Sequence, residues 1–323
     1  MQNPKRHLFI FNFNMTRKFL KYLLWFFSPV ILGYVIIEIL TLNLPLGYKY
    51  TSEYLQQNKS GIQVLILGSS QLANAINPDF LSTPTLNMAS GNQHHDTDLK
   101  ILKQLQPQLP NLKTVVLEVS YSHFELPHNG KDFWKNNVYL KYYNINAFER
   151  PAYFKDKLVY LSNPPFFSVK LYNHFILNEG FEEYNNFGFD TNNYFGRFKI
   201  LAYNESEILK TKFKINSIPD LKLFKNNTTL FYEILDYLKE KELNIIICKA
   251  PMYKSYLPKR NSEILKRRDS ILNIIHLNYP NIIFLDKEED TLNYNVFDYK
   301  NQSHLNPKGA KKFTGSLSKL LDL

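Results

Sequence analysis

Two short stretches far apart in the chain hold residue types able to do chemistry together. The first is Val64-Leu-Ile-Leu-Gly68-Ser69-Ser70-Gln71-Leu72, an apolar run ending in Gly-Ser-Ser ahead of a short helical pattern. In an open parallel sheet, ligands bind beyond the carboxyl ends of the strands, and glycine lets the chain turn sharply there. A serine at that turn has its hydroxyl exposed and its own N–H free at a helix start. Alone the tripeptide is ordinary turn chemistry. The second stretch is His304-Leu305-Asn306-Pro307-Lys308-Gly309-Ala310, directly before the last helical pattern. A histidine entering a terminal helix can reach back over the same sheet edge and accept the proton of a serine nucleophile. Without the upstream serines it would read as a solvent-facing residue of a helix N-terminus.

Other polar clusters are weaker. His94-His95-Asp96 has the composition of a metal site, but adjacent residues rarely point into one coordination sphere and no third ligand stands at a motif spacing. We therefore expect no metal, Asp96 as the cap of the following helix, and one histidine, His94, lining the cleft. Ala250-Pro251-Met252-Tyr253 ends another apolar run and places Tyr253 where it would shape a substrate pocket.

The elements that must position these residues follow from periodicity. Buried-strand runs recur at Ile62 to Leu67, Thr85 to Met88, Thr114 to Val119, Asn244 to Lys249 and Asn281 to Leu285. Helical patterns lie between and after them at Asp96 to Leu105, Thr228 to Lys241, Ser262 to Leu277 and Pro307 to Leu321. Alternating strands and helices predict an α/β protein with a flavodoxin-like, doubly wound parallel sheet. From about 121 to 225 the rhythm breaks into Tyr-, Phe- and Asn-rich sequence, read as an insertion over one sheet edge, its aromatics packing a subdomain in preference to stacking on glycans.

Ahead of all this, residues 22–37 are apolar or small and the run continues past Glu38 to Leu42, long enough to cross ~30 Å of hydrocarbon. Lys5, Arg6, Arg17, Lys18 and Lys21 precede it, which places the N-terminus in the cytoplasm and the rest outside. A cleaved signal peptide would have a shorter apolar region and a small-x-small site, so a retained anchor in residues 1–46 and an extracytoplasmic body in 47–323 are expected. With 44% hydrophobic and 21% charged residues, the 323-residue chain is neither disordered nor polytopic. A single cysteine, Cys248, excludes an internal disulfide framework. The formal charge is +10, but five of the 39 basic and one of the 29 acidic residues fall in the first 46, leaving 34 and 28 and a body of +6. Those charges are scattered, which argues against nucleic acid and is mildly attractive to anionic glycans or lipid headgroups.

The Gly-Ser-Ser after the first strand, the terminal His-Leu-Asn-x-x-Gly-Ala and their order resemble the SGNH (GDSL-like) hydrolase superfamily, in particular its membrane-anchored branch containing the teichoic-acid D-alanine-transfer protein and the alginate O-acetylation proteins. The resemblance implies the SGNH-hydrolase fold, Ser70 as nucleophile, Ser69 where many relatives have Asp, and His304 as general base. It also implies Gly91, in Asn87-Met-Ala-Ser-Gly91, as an oxyanion donor beside the Ser70 N–H. Two positions depart from the pattern. The oxyanion asparagine falls near Ser122, for which Asn92 or Gln93 would substitute. The acid three residues before the histidine is Asn301, leaving Asp298 as the nearest charged orienter. The resemblance further implies an O-acyltransferase or esterase on a cell-envelope glycan, without metal or organic cofactor, working with a membrane-bound O-acyltransferase at the bacterial inner membrane, its catalytic domain periplasmic. The two departures favour, as the competing expectation, a non-catalytic scaffold or glycan-binding component.

Overall fold

The computed structural model describes residues 13–180 and 182–322; Lys5 and Arg6 of the expected cytoplasmic segment lie outside them. Helix α1, Phe13–Asn43, opens the chain and contains Pro29. Its Met15–Asn43 stretch, with mean hydropathy 2.1 in its most apolar window and nothing there buried against the protein, is long and apolar enough to cross a membrane. Helix α2, Gly47–Asn58, follows after three residues and packs beside the sheet through Leu55.

Five short strands then form one parallel sheet: β1 Val64–Ile66, β2 Thr85–Asn87, β3 Thr114–Glu118, β4 Asn244–Lys249 and β5 Ile283–Asp286, in the order β2-β1-β3-β4-β5. That order is the flavodoxin-like, doubly wound arrangement expected from the sequence, with the switch point between β1 and β3. Helices α3 (Ser70–Ala75) and α4 (His95–Leu105) follow β1 and β2. The long connection from β3 to β4 holds α5 (Lys135–Tyr143), α6 (Pro164–Phe175), the short α7 (Arg197–Ile200) and α8 (Glu205–Lys210), and then α9 (Leu221–Glu240). Helix α10, Ser262–Asn278, lies between β4 and β5, and a two-stranded antiparallel hairpin, β6 Tyr299–Asn301 and β7 His304–Leu305, precedes α11, Pro307–Leu321.

Alternation along the strands sorts two cores. Leu65, Val115, Leu117 and Ile247 face α4, α9 and α10, whereas Val64, Ile66, Val116 and Ile246 face α3 and α11. All five residues of β3 are buried because both faces are covered, as continuous apolar strand sequence requires. Removing one such Leu or Ile side chain costs ~2–5 kcal/mol.

The structure differs from the sequence reading in three places. Helix α9 begins at Leu221, seven residues ahead of the expected start, where Asp220 accepts from the Leu223 N–H as N-cap. The interval expected to lack sustained helices contains α5 and α6, which fold through tertiary packing of Val138 and Phe167 with Leu44 and Leu46. Asp96 is not the cap of α4. His94 occupies that position without a side-chain cap bond, and Asp96 sits in the first turn, where its charge favours the positive end of the helix.

Candidate active site

The turn after β1 is built around Gly68 and Glu118. Gly68 has φ +145°, and a Cβ there would lie 2.7 Å from the Glu118 Cβ, so both its backbone angle and its surroundings require glycine. Glu118 ends β3 fully buried, and its carboxylate accepts from the Ser69 N–H (2.7 Å), the Ser69 O–H (2.7 Å) and the Leu72 N–H (3.3 Å). Burial raises its pKa, while those donors pull it back down. Ser69, the N-cap of α3, is thereby committed to holding the turn; the structure does not leave it as a substrate contact. The next residue, Ser70, is left half-exposed in the first helical turn.

Its hydroxyl meets His304. Ser70 Oγ and His304 Nε2 are 2.8 Å apart, and His304 Nδ1 lies 3.0 Å from Asn301 Oδ1. The hairpin explains the second contact, because its register sets Asn301 opposite His304. The Ser303 N–H also donates to Asn301 Oδ1 at 3.0 Å, which fixes the amide with its oxygen toward the imidazole. Nδ1 then carries the proton and Nε2 is free to accept from Ser70. Burial, assisted by the Lys300 ammonium, pushes the His304 pKa down to about 3, so the ring is neutral at physiological pH.

The order of residue types after His304 has a structural meaning of its own. Asn306 caps α11 by accepting from the Lys308 and Gly309 N–H groups, and Pro307 occupies a first-turn position that needs no donor. A Cβ on Gly309 would sit 2.2 Å from the Asp298 carbonyl oxygen. Asp298 makes no contact with His304: its Oδ2 accepts from the Asn295 N–H at 2.9 Å and pairs with Lys312 at 2.7 Å, and its Oδ1 is buried without a hydrogen-bond partner. The orienter contact therefore falls to Asn301, correcting the expectation that Asp298 would supply the missing charge.

On the other side of Ser70, residues 90–93 form a tight turn closed by the Gln93 N–H on the Ser90 carbonyl, with Asn92 in the left-handed region at φ 59°. A Cβ on Gly91 would stand 3.9 Å from the Ser70 Cβ. Neither the Ser70 nor the Gly91 N–H has an acceptor among the described residues, so both are free to receive an oxyanion. The other candidates are elsewhere. Asn92 is exposed with its carbonyl bonded by Asn129, and buried Ser122 accepts from the Glu125 N–H through its carbonyl. Gln93 is buried between Asp98 (2.7 Å) and Tyr139 (2.6 Å).

Beside this centre lies a cavity of about 370 Å³ whose walls include Asn74, Ser90, Gly91, Lys170, Asp190 and Lys300. Asn74 ties it to Ser70 by donating to the Ser70 carbonyl at 2.5 Å. Its Oδ1 accepts from Lys300 (2.8 Å) and Asn193 (2.7 Å). Lys300, withdrawn from water, has its pKa lowered to about 8. Tyr253 does not reach the cavity. It packs edge-on against Phe198 and Tyr299 in the α3/α11 core, where Ala250 is also buried, while Met252, between Ala250 and Tyr253 in the chain, turns to Tyr121 and Tyr256.

Comparisons with known proteins add little to this geometry. Neither a family model nor a curated protein matches the chain. Among solved structures it is similar to one described as "a putative acylhydrolase" from Bacteroides fragilis, with TM-score 0.39, 11% identity, and coverage of 83% of this chain and 94% of that one. It is also similar to "a putative platelet activating factor from Streptococcus pneumonia", with TM-score 0.39, 10% identity, and coverage of 84% and 91%. Likenesses at that level carry no functional argument.

Sequence reasoning missed several participants. Glu118 was legible as a lone acid inside the apolar run Val-Val-Leu-Glu-Val. Lys135 was not: it arrives from the insertion, buried, donating to Ser90 Oγ (2.8 Å) and the Gly91 carbonyl (2.5 Å), with no carboxylate paired to it among the described residues. His94 is joined by His123 and His128, its ring centroid 6.0 and 6.4 Å from theirs, and His95 stacks on His123 at 4.1 Å. Burial lowers the pKa of His94, His95 and His123. His94 and His95 follow the Ser90–Gln93 turn and with His123 form a group of rings held neutral by burial, and His94 is not among the walls of the cavity; among the described residues no group of His, Cys, Asp or Glu is arranged to hold a metal ion.

Proposed function

We propose that the chain is a serine-dependent acyl-ester hydrolase or O-acyltransferase, anchored by α1 and acting on a cell-envelope glycan outside the cytoplasm. The observation that carries this reading is the Ser70–His304–Asn301 relay at the carboxyl edge of the sheet, beside two unoccupied backbone N–H donors. Ser70 Oγ attacks the ester carbonyl while His304 Nε2 takes its proton, and the Ser70 and Gly91 N–H groups receive the oxygen that becomes negative. His304 then returns the proton to the leaving alkoxide. A sugar hydroxyl or water, deprotonated by the same ring, attacks the acyl-enzyme and releases Ser70. The cavity beside Ser70, with amide, lysine and carboxylate side chains set among tyrosines and phenylalanines, suits a hydroxyl-rich acceptor, and delivery of the acyl group by a membrane-bound O-acyltransferase fits a site tethered by α1.

The test is labelling of the full-length protein in detergent by a fluorophosphonate, with turnover of a small acetyl ester followed in parallel. Ser70→Ala should abolish both. Ser69→Ala should keep measurable turnover but melt earlier, since it strips a hydrogen bond from buried Glu118. Failure of the wild type to label, with the fold intact, would sink the catalytic reading. Reporter fusions after residue 60 test the topology: activity in a cytoplasm-dependent reporter would reverse it. A second reading, a non-catalytic glycan-binding scaffold, draws on Asn301 where a carboxylate would balance an imidazolium, and on Lys300 beside the ring.

A further inference from the structure

We infer that α6 and the loop before it form a shelf seated in the interfacial layer of a phospholipid bilayer, so that the body rests on the membrane as well as being tethered to it. This rests on the reading of α1 as a membrane-spanning helix.

The depth of the shelf is fixed by Glu38. Its carboxylate, near the end of α1, accepts from the N–H groups of Val159 (2.7 Å) and Tyr160 (2.9 Å). A carboxylate this close to an apolar span settles at headgroup level, and it carries the 159–160 turn with it. Four residues later α6 begins, with Asn163 as its N-cap. On one side Phe167 is fully buried with Leu44, Leu46 and Val159, locking the helix to the end of α1. On the other side the apolar residues are left open. Val169 is 59% exposed, Tyr172 54% and Ile176 68%, at spacings of three and four that put them on one face. Phe154, at 82% exposed, stands just upstream, directly ahead of the exposed Lys155 and close to the exposed Lys157.

An apolar face of this kind next to a 29-residue apolar helix, whose most apolar stretch is unburied, has an evident neighbour in the lipid that surrounds that helix. Twelve residues are too few to span, so α6 lies in the plane. Tyrosine, phenylalanine and lysine are the types that settle between acyl chains and headgroups. Phe166 and Lys170, from the same helix, line the cavity beside Ser70, so the shelf also holds that cavity at a set height above the bilayer.

The experiment uses the full chain, in which the one cysteine, Cys248, is buried and silent to labelling. Single cysteines at Val169, Tyr172 and Ile176, with Leu32 in α1 and exposed Thr229 in α9 as references, receive a nitroxide. The protein is reconstituted in phosphatidylethanolamine–phosphatidylglycerol vesicles. Power saturation then compares relaxation by oxygen, which partitions into lipid, with relaxation by a water-soluble nickel chelate. The expected result is an oxygen-to-nickel ratio at all three shelf positions several-fold above that at Thr229 and below that at Leu32. Ratios equal to Thr229, with Leu32 in lipid, overturn the shelf and spare the anchor. Protection of the shelf from both reagents means a protein covers it and also overturns the proposal. A water-exposed Leu32 overturns the anchor, and the shelf with it.

Discussion

On the proposed reading, the contact between His304 Nδ1 and Asn301 Oδ1 sets how much catalysis the serine can deliver. An amide oxygen fixes the tautomer but cannot balance the imidazolium formed when Ser70 loses its proton, and in a serine protease the corresponding Asp-to-Asn change costs ~10⁴ in kcat. Asp298 is engaged by Lys312, and among the described residues no carboxylate is paired with His304. Asn301→Asp should therefore raise ester hydrolysis tenfold or more, up to that ~10⁴ limit, and a scaffold would show no turnover in either form. Lys300 pushes in the opposite sense. Lys300→Met should move the acid limb of the kcat/KM profile upward, because a like charge no longer opposes protonation of His304. The limb should stay below the ordinary histidine value of 6.5, since burial is the larger cause of the shift. An acid limb that stays where the wild type has it would separate Lys300 from the ring.

At the scale of elements, the site is a meeting of three turns, each made rigid by a buried polar group from another part of the chain. Glu118 of β3 holds the Ser69–Ser70 turn after β1, the β6–β7 hairpin holds His304, and Lys135 of α5 holds the Ser90–Gly91 turn after β2. The last link is the longest in sequence and the most exposed to test. Lys135→Met leaves the side-chain volume nearly unchanged but frees the Gly91 carbonyl, so the Gly91 N–H loses its set direction. Turnover of a small ester should fall by as much as ~10²-fold in kcat with KM little changed. Lys135→Arg should recover part of the loss. A melting temperature that falls together with kcat and is not restored by Arg would assign Lys135 to the fold alone.

Across the whole molecule, acid stability follows from the buried rings. His95 and His304, each lowered to about 3, and His123, lowered well below 6.5, stay neutral in the folded protein while their unfolded counterparts gain protons below about pH 6.5. The unfolded state then binds more protons, so each ring withdraws stability as the pH falls from 6.5 toward its folded value. Asp98 and Glu118, raised by burial, act with the opposite sign. A variant isolates one contribution. Both ring nitrogens of His123 are buried without a hydrogen bond, Nδ1 standing 3.8 Å from Glu118 Oε1, so His123→Phe should be neutral or stabilising at pH 7.5. Between pH 6.5 and 4.5 it should lose less melting temperature than the wild type. Parallel curves for the two proteins would count against a neutral buried His123.

Local sequence determined the elements that carry their own periodicity: β4 and α11 run over the residues expected, and the Asn-Pro-x-Gly start of α11 is explained by its cap and by the close approach of Gly309 to Asp298. The Gly-Ser-Ser turn and the distant histidine were legible because a strand end and a helix start each leave a local signature. What the sequence could not decide was partnership. Asn301 and Asp298 stand three residues apart before His304, and only the hairpin register, with Lys312 reaching back from α11, gives one to the imidazole and the other to an ion pair. Lys135 reads as a solvent-facing charge beside Trp134 until α5 folds against Leu44 and Leu46 and carries its ammonium beneath the oxyanion turn. Helices α5 and α6 have no strong period of their own because their apolar residues answer to two environments at once, the protein on one side and, for α6, the surface left open beside α1 on the other. Periodicity records one face; tertiary packing supplies the second.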